Sequence, residues 1–305
     1  MMIRYRELKK KPAVFRSMTG LSLKGFGALL PAFYQAYEDD LDRRDAQRGH
    51  KRQRERGGGR QGKLKTLEDK MIFILFYIRH YPVQELQGWI FGMGQAQAWD
   101  WIHRLTPILN QALGYEKQLP ARKQREIGVI LAACEGLEFI IDGTERPVRR
   151  PKDKTRQKSQ YSGKKKRHTV KNNVVSDKRT RKIKVLSETC EGKKHDKKLA
   201  DEQEIPFPAG SMLWQDTGFQ GYQPEHITTY QPTKKLKGKE LTPEQKERNQ
   251  AISKERIRVE HSIGGVKVFG IVHQIFRNMC EGFDDLVMET ACGLHNLRCD
   301  FPMTA

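Results

Sequence analysis

Apolar residues recur at helical spacing in the first third of the chain. After Pro31, four of them follow at intervals typical of one helical face: Phe33, Tyr34, Tyr37 and Leu41. Thr66 precedes a strongly apolar stretch that stops at Pro82, which predicts a capped, buried helix. This part of the chain is therefore predicted to be α-helical.

A third helix is predicted after the turn Gly92-Met93-Gly94, in the segment QAQAWDWIHRLTPIL. Three helices with a glycine-containing turn before the last are typical of a helix-turn-helix, although any three-helix bundle gives a similar pattern. In such a motif the last helix reads DNA. Trp99 and Trp101 are two positions apart and cannot share a helical face, so we expect one in the core and one at a partner or DNA surface.

From about Gly136 the apolar residues come in short runs instead. The segments GLEFIIDGTERPV, HTVKNNVVSD and RKIKVLSETC predict three strands. A helix with Asp196 as its N-cap, a fourth strand in SMLWQDTGF, a long charged helix and a final helix in FDDLVMETACGLHNLRC follow. The order β-β-β-α-β-α is that of a ribonuclease H-like fold, a mixed α/β class in which helices flank the sheet.

The net charge of the chain indicates which class of partner it binds. A formal net charge of +20 on 305 residues predicts salt-sensitive attraction to a polyanion, most commonly nucleic acid, without separating DNA from RNA. The basic, glycine-rich stretch at 43–65 fits a solvated linker or an arm that touches phosphates, and the two roles are compatible.

Cysteine spacing and hydropathy bear on the compartment. The five cysteines form no CxxC pair, which argues against a structural zinc site and a disulfide framework and favours a reducing cytosol. The longest apolar run, Met71 to Ile78, is too short to cross a bilayer. We therefore expect a cytoplasmic protein without a membrane partner.

Three carboxylates stand out because they belong to separate elements. Asp142 and Asp216 each end an apolar strand and precede a glycine by one or two residues, and Glu260 lies in a predicted helix. An isolated acid after a strand is usually a turn residue or a cap. Three together suit two metal ions about 3.5–4 Å apart, which activate water and stabilise the leaving oxygen in phosphodiester cleavage. Hard oxygen ligands select magnesium, with manganese as a substitute.

These residues carry a family resemblance that covers most of the chain. The blocks FIIDGTERPVRRP, QYSGKKKRHTVK, GKKHDKKLADE, WQDTGFQGY and RIRVEHSIGGVKVFGI occur in the order and at separations typical of the family. In these blocks the chain resembles the bacterial insertion-sequence transposases of the DDE superfamily, in the branch related to Harbinger-type transposases.

The resemblance implies a domain plan and an activity. Residues 1–62 would form an N-terminal helix and basic linker, 63–130 a helix-turn-helix that recognises terminal inverted repeats, and 131–305 a ribonuclease H-like catalytic domain. The family's catalytic, metal-binding acids fall on Asp142, Asp216 and Glu260. The implied reaction is magnesium-dependent cleavage and strand transfer into target DNA by a homodimer that pairs two element ends.

The region around the glutamate departs from the family at one position. Many insertion-sequence enzymes carry tyrosine, arginine, glutamate and lysine here, and this chain has Ser253 in place of the tyrosine, which affects the handling of DNA ends. By resemblance, Arg256 and Lys267 contact DNA phosphate near the scissile bond. The alternative makes Arg256 and Glu260 an ordinary surface pair four residues apart.

The basic segment Arg149 to Lys184 follows the first predicted catalytic strand and is expected to contact the DNA backbone. Its centre is a run of four cations expected to contact the DNA backbone: Lys164, Lys165, Lys166 and Arg167. The alternative is a run that is only solvated. His195 beside Asp196 is interpreted as a cap and turn, since no further His or Cys lies at ligand spacing.

The predicted function is that of a DNA transposase. Two alternatives remain: a non-catalytic DNA-binding repressor derived from a transposase, and a nuclease of the same fold that cuts without joining. A repressor of this origin tends to lose one of the acids, and all three are present here.

Overall fold

A computed structural model describes residues 3–49, 62–235 and 240–302, without the side chains of 256–260. The chain forms two compact units. The first comprises Met1–Leu119, Val268–Ile271 and Leu286–Ala305, and the second comprises Pro120–Lys267 and Val272–Asp285. The predicted domain boundaries at 62 and 130 divide the chain by function. The two units are defined by packing alone, so they do not test those boundaries, which stay a prediction.

The helices and strands have the following bounds, each in chain order. Helices are α1 (Tyr5–Leu8), α2 (Pro12–Thr19), α3 (Leu23–Ala46), α4 (Leu67–His80), α5 (Gln84–Phe91), α6 (Gln95–Tyr115), α7 (Gln124–Ala132), α8 (Lys154–Gln160), α9 (Asp196–Gln203), α10 (Pro243–Lys267), α11 (Gly270–His273) and α12 (Phe283–Asp300). Strands are β1 (Glu138–Pro147), β2 (Tyr161–Ser162), β3 (Arg167–Asp177), β4 (Ile183–Leu186), β5 (Cys190–Glu191), β6 (Met212–Trp214) and β7 (Thr228–Tyr230).

The first unit is built on α4, whose residues Met71 to Ile78 are buried on every face. The predicted cap of this helix is confirmed, because the Thr66 hydroxyl accepts a hydrogen bond from the Asp69 backbone N–H at 3.1 Å. The predicted start of α3 at Pro31 was wrong. Ser22 caps the helix by accepting from Gly25 N at 3.1 Å, so Pro31 lies inside it. A helix that would span a membrane is not found within the described ranges.

The second unit is a mixed sheet with the order β2-β3-β1-β6-β7, to which β4 and β5 are added on β3. β1 pairs antiparallel with β3 and parallel with β6. The predicted mixed α/β class and the order of the main strands and helices are confirmed. The short α8 and β7 were not predicted, because neither carries a run of apolar residues long enough to show periodicity.

The two faces of β1 have different roles. Phe139 and Ile141 enter a core with Ile127 and Leu131 of α7 and Ala200 of α9. Side chains alternate along a strand. The face opposite α7 and α9 therefore carries three other β1 residues: Asp142, Thr144 and Arg146.

Arg146 is 2% exposed and holds a polar network under this second face. Its guanidinium donates to the Asp284 backbone oxygen at 2.8 Å, to Asn172 Oδ1 at 2.9 Å and to Thr189 Oγ1 at 3.0 Å. Asp285 continues the network, accepting from Thr189 N at 3.0 Å and from the Arg122 guanidinium. The first turn of α12 is thereby fixed to the sheet.

Acid is expected to weaken this network through Asp285. Burial raises its pKa, but hydrogen bonds from Arg122 and Thr189 outweigh burial and hold the pKa below the ordinary 3.8. A depressed folded pKa contributes stability that is present above 3.8 and lost as the pH falls through the folded value. Asp285→Asn should therefore cost about 2 kcal/mol of unfolding free energy at pH 7 and flatten its decline in acid. Urea unfolding at pH 7 and pH 3 measures both, and equal pH profiles for the variant and the wild type would contradict this role. Asp201→Asn, at an exposed carboxylate, is the matched control.

Candidate functional site

Asp142 and Asp216 are brought together by the parallel pairing of β1 and β6. The last paired residues are Ile140 and Trp214, so each aspartate lies two positions beyond that pair. The prediction that Asp142 ends a strand was wrong, because β1 continues to Pro147 and Asp142 pairs with Val174 of β3. Asp216 follows β6, which ends at Trp214. Neighbouring strands are about 4.8 Å apart. Asp142 Oδ1 accepts a hydrogen bond from Gly143 N at 2.8 Å, and Asp216 Oδ1 accepts one from Gly218 N at 2.6 Å. The two predicted acids are neighbours at one end of the strand pair.

A third carboxylate, that of Asp196, lies beside both glycines. A Cβ added to Gly143 would lie 2.6 Å from Asp196 Oδ1. A Cβ added to Gly218 would lie 3.0 Å from Asp196 Oδ2 and 2.8 Å from Asp216 Oδ1. The Asp196 carboxylate thus occupies the space that a side chain at either position would need, between the segments that carry Asp142 and Asp216.

The predicted capping role of Asp196 was wrong. The N-cap of α9 is His195, whose side chain makes no capping hydrogen bond, and Asp196 is the first helical residue. Its carboxylate is instead held by Lys171 of β3, whose Nζ lies 3.0 Å from Asp196 Oδ1 and 3.6 Å from Glu145 Oε1. Asn173 Nδ2 also donates to the Asp196 backbone oxygen at 2.9 Å.

Lys171 and Asn173 were missed because they lie within a long basic run. Their register was the available signal: Lys171 pairs with Glu145 and Asn173 pairs with Gly143. Residues directly opposite each other on antiparallel strands share a face. The buried ammonium of Lys171 therefore balances two carboxylates on the face of β1 opposite Asp142.

Glu260 and Arg256 lie in α10, but their side chains are outside the described residues. The helix itself is attached to the sheet through Lys178. Its ammonium lies 2.7 Å from Glu138 and 2.8 Å from Glu255, and 4.0 Å from the centroid of the Trp214 ring. Burial lowers the pKa of Lys178, but the hydrogen bonds to both glutamates outweigh it and raise the pKa. Ser253, at the family's tyrosine position, is exposed.

The predicted DNA-contacting cations fall in two places. Lys164, Lys165 and Lys166 form the exposed turn between β2 and β3, and Arg167 begins β3. Lys267, at the end of α10, is exposed. Crowding by surrounding protein lowers the pKa of Lys267, the negative charge of Asp142 opposes that shift, and Lys165 reinforces it. Lys267 is thus within electrostatic range of both Asp142 and the turn.

The donor chemistry of the two predicted aspartates fits a hard divalent cation. Asp142 and Asp216 offer carboxylate oxygens, the ligands that magnesium prefers, whereas Asp196 is paired with Lys171 on the other face of β1. Within the described residues, no group of three or more His, Cys, Asp or Glu side chains is arranged to hold a metal ion. Glu260 is outside that comparison, so a complete ligand set remains a prediction.

The helix-turn-helix is formed by α4, α5 and α6 in the first unit. Gly92 ends α5 with a φ of +70°, and Met93 N donates to Gly88 O at 2.8 Å. A Cβ on Gly88 would lie 2.6 Å from Met93 O, so the close approach in this turn requires glycine.

The first turns of α6 face solvent. Trp99 is 44% exposed, and its neighbours Gln95, Gln97 and Asp100 are exposed too. Trp101 is half-buried, with the Arg104 guanidinium 5.3 Å from its ring centroid. Trp99 is the more exposed of the two tryptophans, as expected, but the prediction that one of them fills the core was wrong, because Trp101 is only half-buried.

Comparison with known proteins agrees with both parts of the molecule. Residues 141–296 match the DDE superfamily endonuclease family, and 62–114 match the helix-turn-helix of DDE superfamily endonucleases. The chain is 29% identical over 282 residues to a probable transposase for insertion sequence element IS702 from Microchaete diplosiphon, covering 92% of this chain and 93% of that protein. No solved structure gives a significant match. The family match spans half of the chain and includes both Asp142 and Asp216, so the protein belongs to the DDE superfamily of endonucleases.

Proposed function

We propose that this chain is the transposase of an insertion sequence, which binds the terminal inverted repeats of its element, cleaves the DNA there and transfers the ends to a target. The observation that carries the proposal is the parallel pairing of β1 with β6, in which Asp142 and Asp216 each lie two residues beyond the last pair, Ile140 and Trp214. The full-length similarity to a probable insertion-sequence transposase supports it.

In the proposed active site Asp142, Asp216 and Glu260 would hold two magnesium ions, whose chemistry when bound is to activate water and stabilise the leaving oxygen. The contribution of this chain is positioning. Backbone N–H groups of Gly143 and Gly218 orient the two aspartates, and Lys178 fixes the helix that carries Glu260. Lys267 and Arg256 would bind the phosphate next to the cleaved bond.

The proposed recognition element is the N-terminal part of α6. Gln95 and Gln97 are exposed there and offer amide groups of the kind that bind adenine edges in the major groove. Trp99 offers an exposed ring beside them. The lysine turn between β2 and β3 would add phosphate contacts that position the DNA without specifying its sequence. A homodimer follows from the need to hold two ends at once.

The proposal is tested with purified protein and a plasmid that carries the gene with its native flanking DNA. In magnesium or manganese, the expected products are a fragment bounded by inverted repeats and, with target DNA added, joined strand-transfer products. Gln97→Ala should weaken binding to end DNA by about 1–3 kcal/mol if it reads a base, without changing affinity for unrelated DNA. DNA that is bound but never cut in either metal would favour the repressor alternative, and cutting without joining would favour the nuclease.

A further inference from the structure

The second unit contains a groove of about 780 Å³ between the segment after β1 and the segment before α12. Its lining includes four cations, Arg149, Arg150, Lys152 and Arg156. An adjoining cavity shares Arg149 and Arg150 and adds Arg277. Two carboxylates, Glu281 and Asp284, also line the larger cavity, so cations exceed acids in the groove.

This basic groove lies on the same face of the sheet as Asp142. Asp142 pairs with Val174 and Arg146 pairs with Val170, which places these four side chains on one face. Val170 and Val148 line the groove. Val170 is opposite Arg146, four residues from Asp142, and Val148 is six residues from Asp142. Along the direction of β1 these separations correspond to roughly 13–20 Å at about 3.3 Å per residue. Base pairs are stacked 3.4 Å apart, so this separation corresponds to about four to six base pairs of DNA.

The groove is held in shape by the backbone. Phe276 N donates to Pro147 O at 2.8 Å, and Arg149 N donates to Phe276 O at 3.3 Å. The Arg146 guanidinium fixes Asp284 from below. Its cations, in contrast, are exposed: none of Arg149, Arg150, Lys152 and Arg156 forms an ion pair with a carboxylate in the part of the chain that the structure describes. A fixed wall with uncompensated cations suits a polyanionic ligand.

We propose that the basic groove binds the sugar-phosphate backbone of the duplex about four to six base pairs from the bond that is cut. The inference rests on the proposed function for the identity of the DNA. The groove adds a phosphate-binding region that is separate from the lysine turn and from Lys267. The second unit would then contact the DNA for several base pairs beyond the bond that is cut.

The first test compares two triple variants with equal loss of charge. The groove variant is R149Q/R150Q/R156Q. The control, K123Q/R125Q/K198Q, changes exposed cations at the N-cap of α7, on α7 and on α9, and these two helices pack on the other face of the sheet. Affinity for an uncleaved 30-base-pair duplex in the absence of metal is measured across a salt series. The groove variant should bind at least about tenfold more weakly, with a salt slope shallower by about three. Equal effects in both variants would overturn the proposal.

The second test uses Cys280, an exposed thiol that lines the groove. Cys134 and Cys292 are buried, and burial raises the pKa of Cys190 to about 11, which makes these thiols poor nucleophiles at neutral pH. Cys280→Ser gives the background alkylation rate. Duplex DNA should slow maleimide alkylation of Cys280 at least several-fold in the wild type and not in the groove variant. Unchanged alkylation with DNA bound, or equal protection by an acidic peptide, would contradict the inference. Neither readout depends on cleavage, so failure of the transposase proposal would be seen separately.

Discussion

Asp142→Asn is expected to lower the rate of DNA cleavage by more than about 100-fold while leaving affinity for end DNA unchanged or slightly higher. Removing a residue that only hydrogen-bonds to a ligand of a bound metal already costs about 10–100-fold, and replacing a carboxylate that binds the ion directly should cost more. The amide keeps the shape of the side chain and can still accept from Gly143 N, so the fold should be retained. Cleavage is followed on labelled end DNA in magnesium and in manganese, and magnesium affinity is measured by calorimetry.

Two companion variants make this result specific. Asp216→Asn should give the same loss, because its amide oxygen can still accept from Gly218 N and only the charge is removed. Asp201→Asn makes the same charge change at the exposed carboxylate paired with Lys197, and it should cut normally. Normal cleavage by Asp142→Asn would remove Asp142 from the active site, whatever the other two variants do.

Gly143→Ala is expected to reduce cleavage by about 100-fold, because its methyl group would lie 2.6 Å from Asp196 Oδ1. The clash must move either Asp196 or β1, and a displacement of about 1 Å at a catalytic group costs rate on that scale. Overpacking should also cost about 1–3 kcal/mol of unfolding free energy. Single-turnover cleavage and urea unfolding measure the two effects separately.

A double-mutant cycle tests whether Asp196 is the cause. Asp196→Ala removes the oxygen that the methyl group meets, so its combination with Gly143→Ala should be less impaired than the sum of the single losses. Gly128→Ala is the matched control, since its added Cβ would meet Pro206 at an ordinary 3.6 Å. Additive losses would show that the close contact with Asp196 does not explain the requirement for glycine at 143.

Much of the fold could be predicted from local pattern. Thr66 and the apolar run behind it specify α4, and the short apolar run before Asp142 predicts β1, whose Phe139, Ile140 and Ile141 are all buried. The start of α3 was misjudged because a proline inside a helix resembles one in its first turn. The short β7 has three residues, too few for any period to emerge.

Site residues could be predicted only where they come directly after an apolar run that predicts a strand. Asp142 follows an apolar run within β1 and Asp216 lies two residues after β6, so their proximity could be inferred from a sheet order in which the two strands are neighbours. Asp196 could not be placed, because its role depends on two glycines far away in the chain and on Lys171 opposite Glu145. The basic segment that begins at Arg149 was predicted to contact DNA, but its groove was not, since Arg149 and Arg277 are brought near each other by the bridge between Val148 and Phe276. Long-range pairing of this kind leaves no mark on local periodicity.

The first unit is built from three separate segments of the chain, and this limits how the DNA specificity proposed for the protein can change in evolution. Its helix-turn-helix shares one packed body with Val268–Ile271 and with the C-terminal segment Leu286–Ala305. A crossover that exchanged only residues 1–119 with a relative would join foreign helices to a native C-terminal segment selected to pack against other side chains. New end specificity should therefore be acquired mainly by point substitution on the exposed turns of α6, and functional chimaeras should require all three segments from one parent.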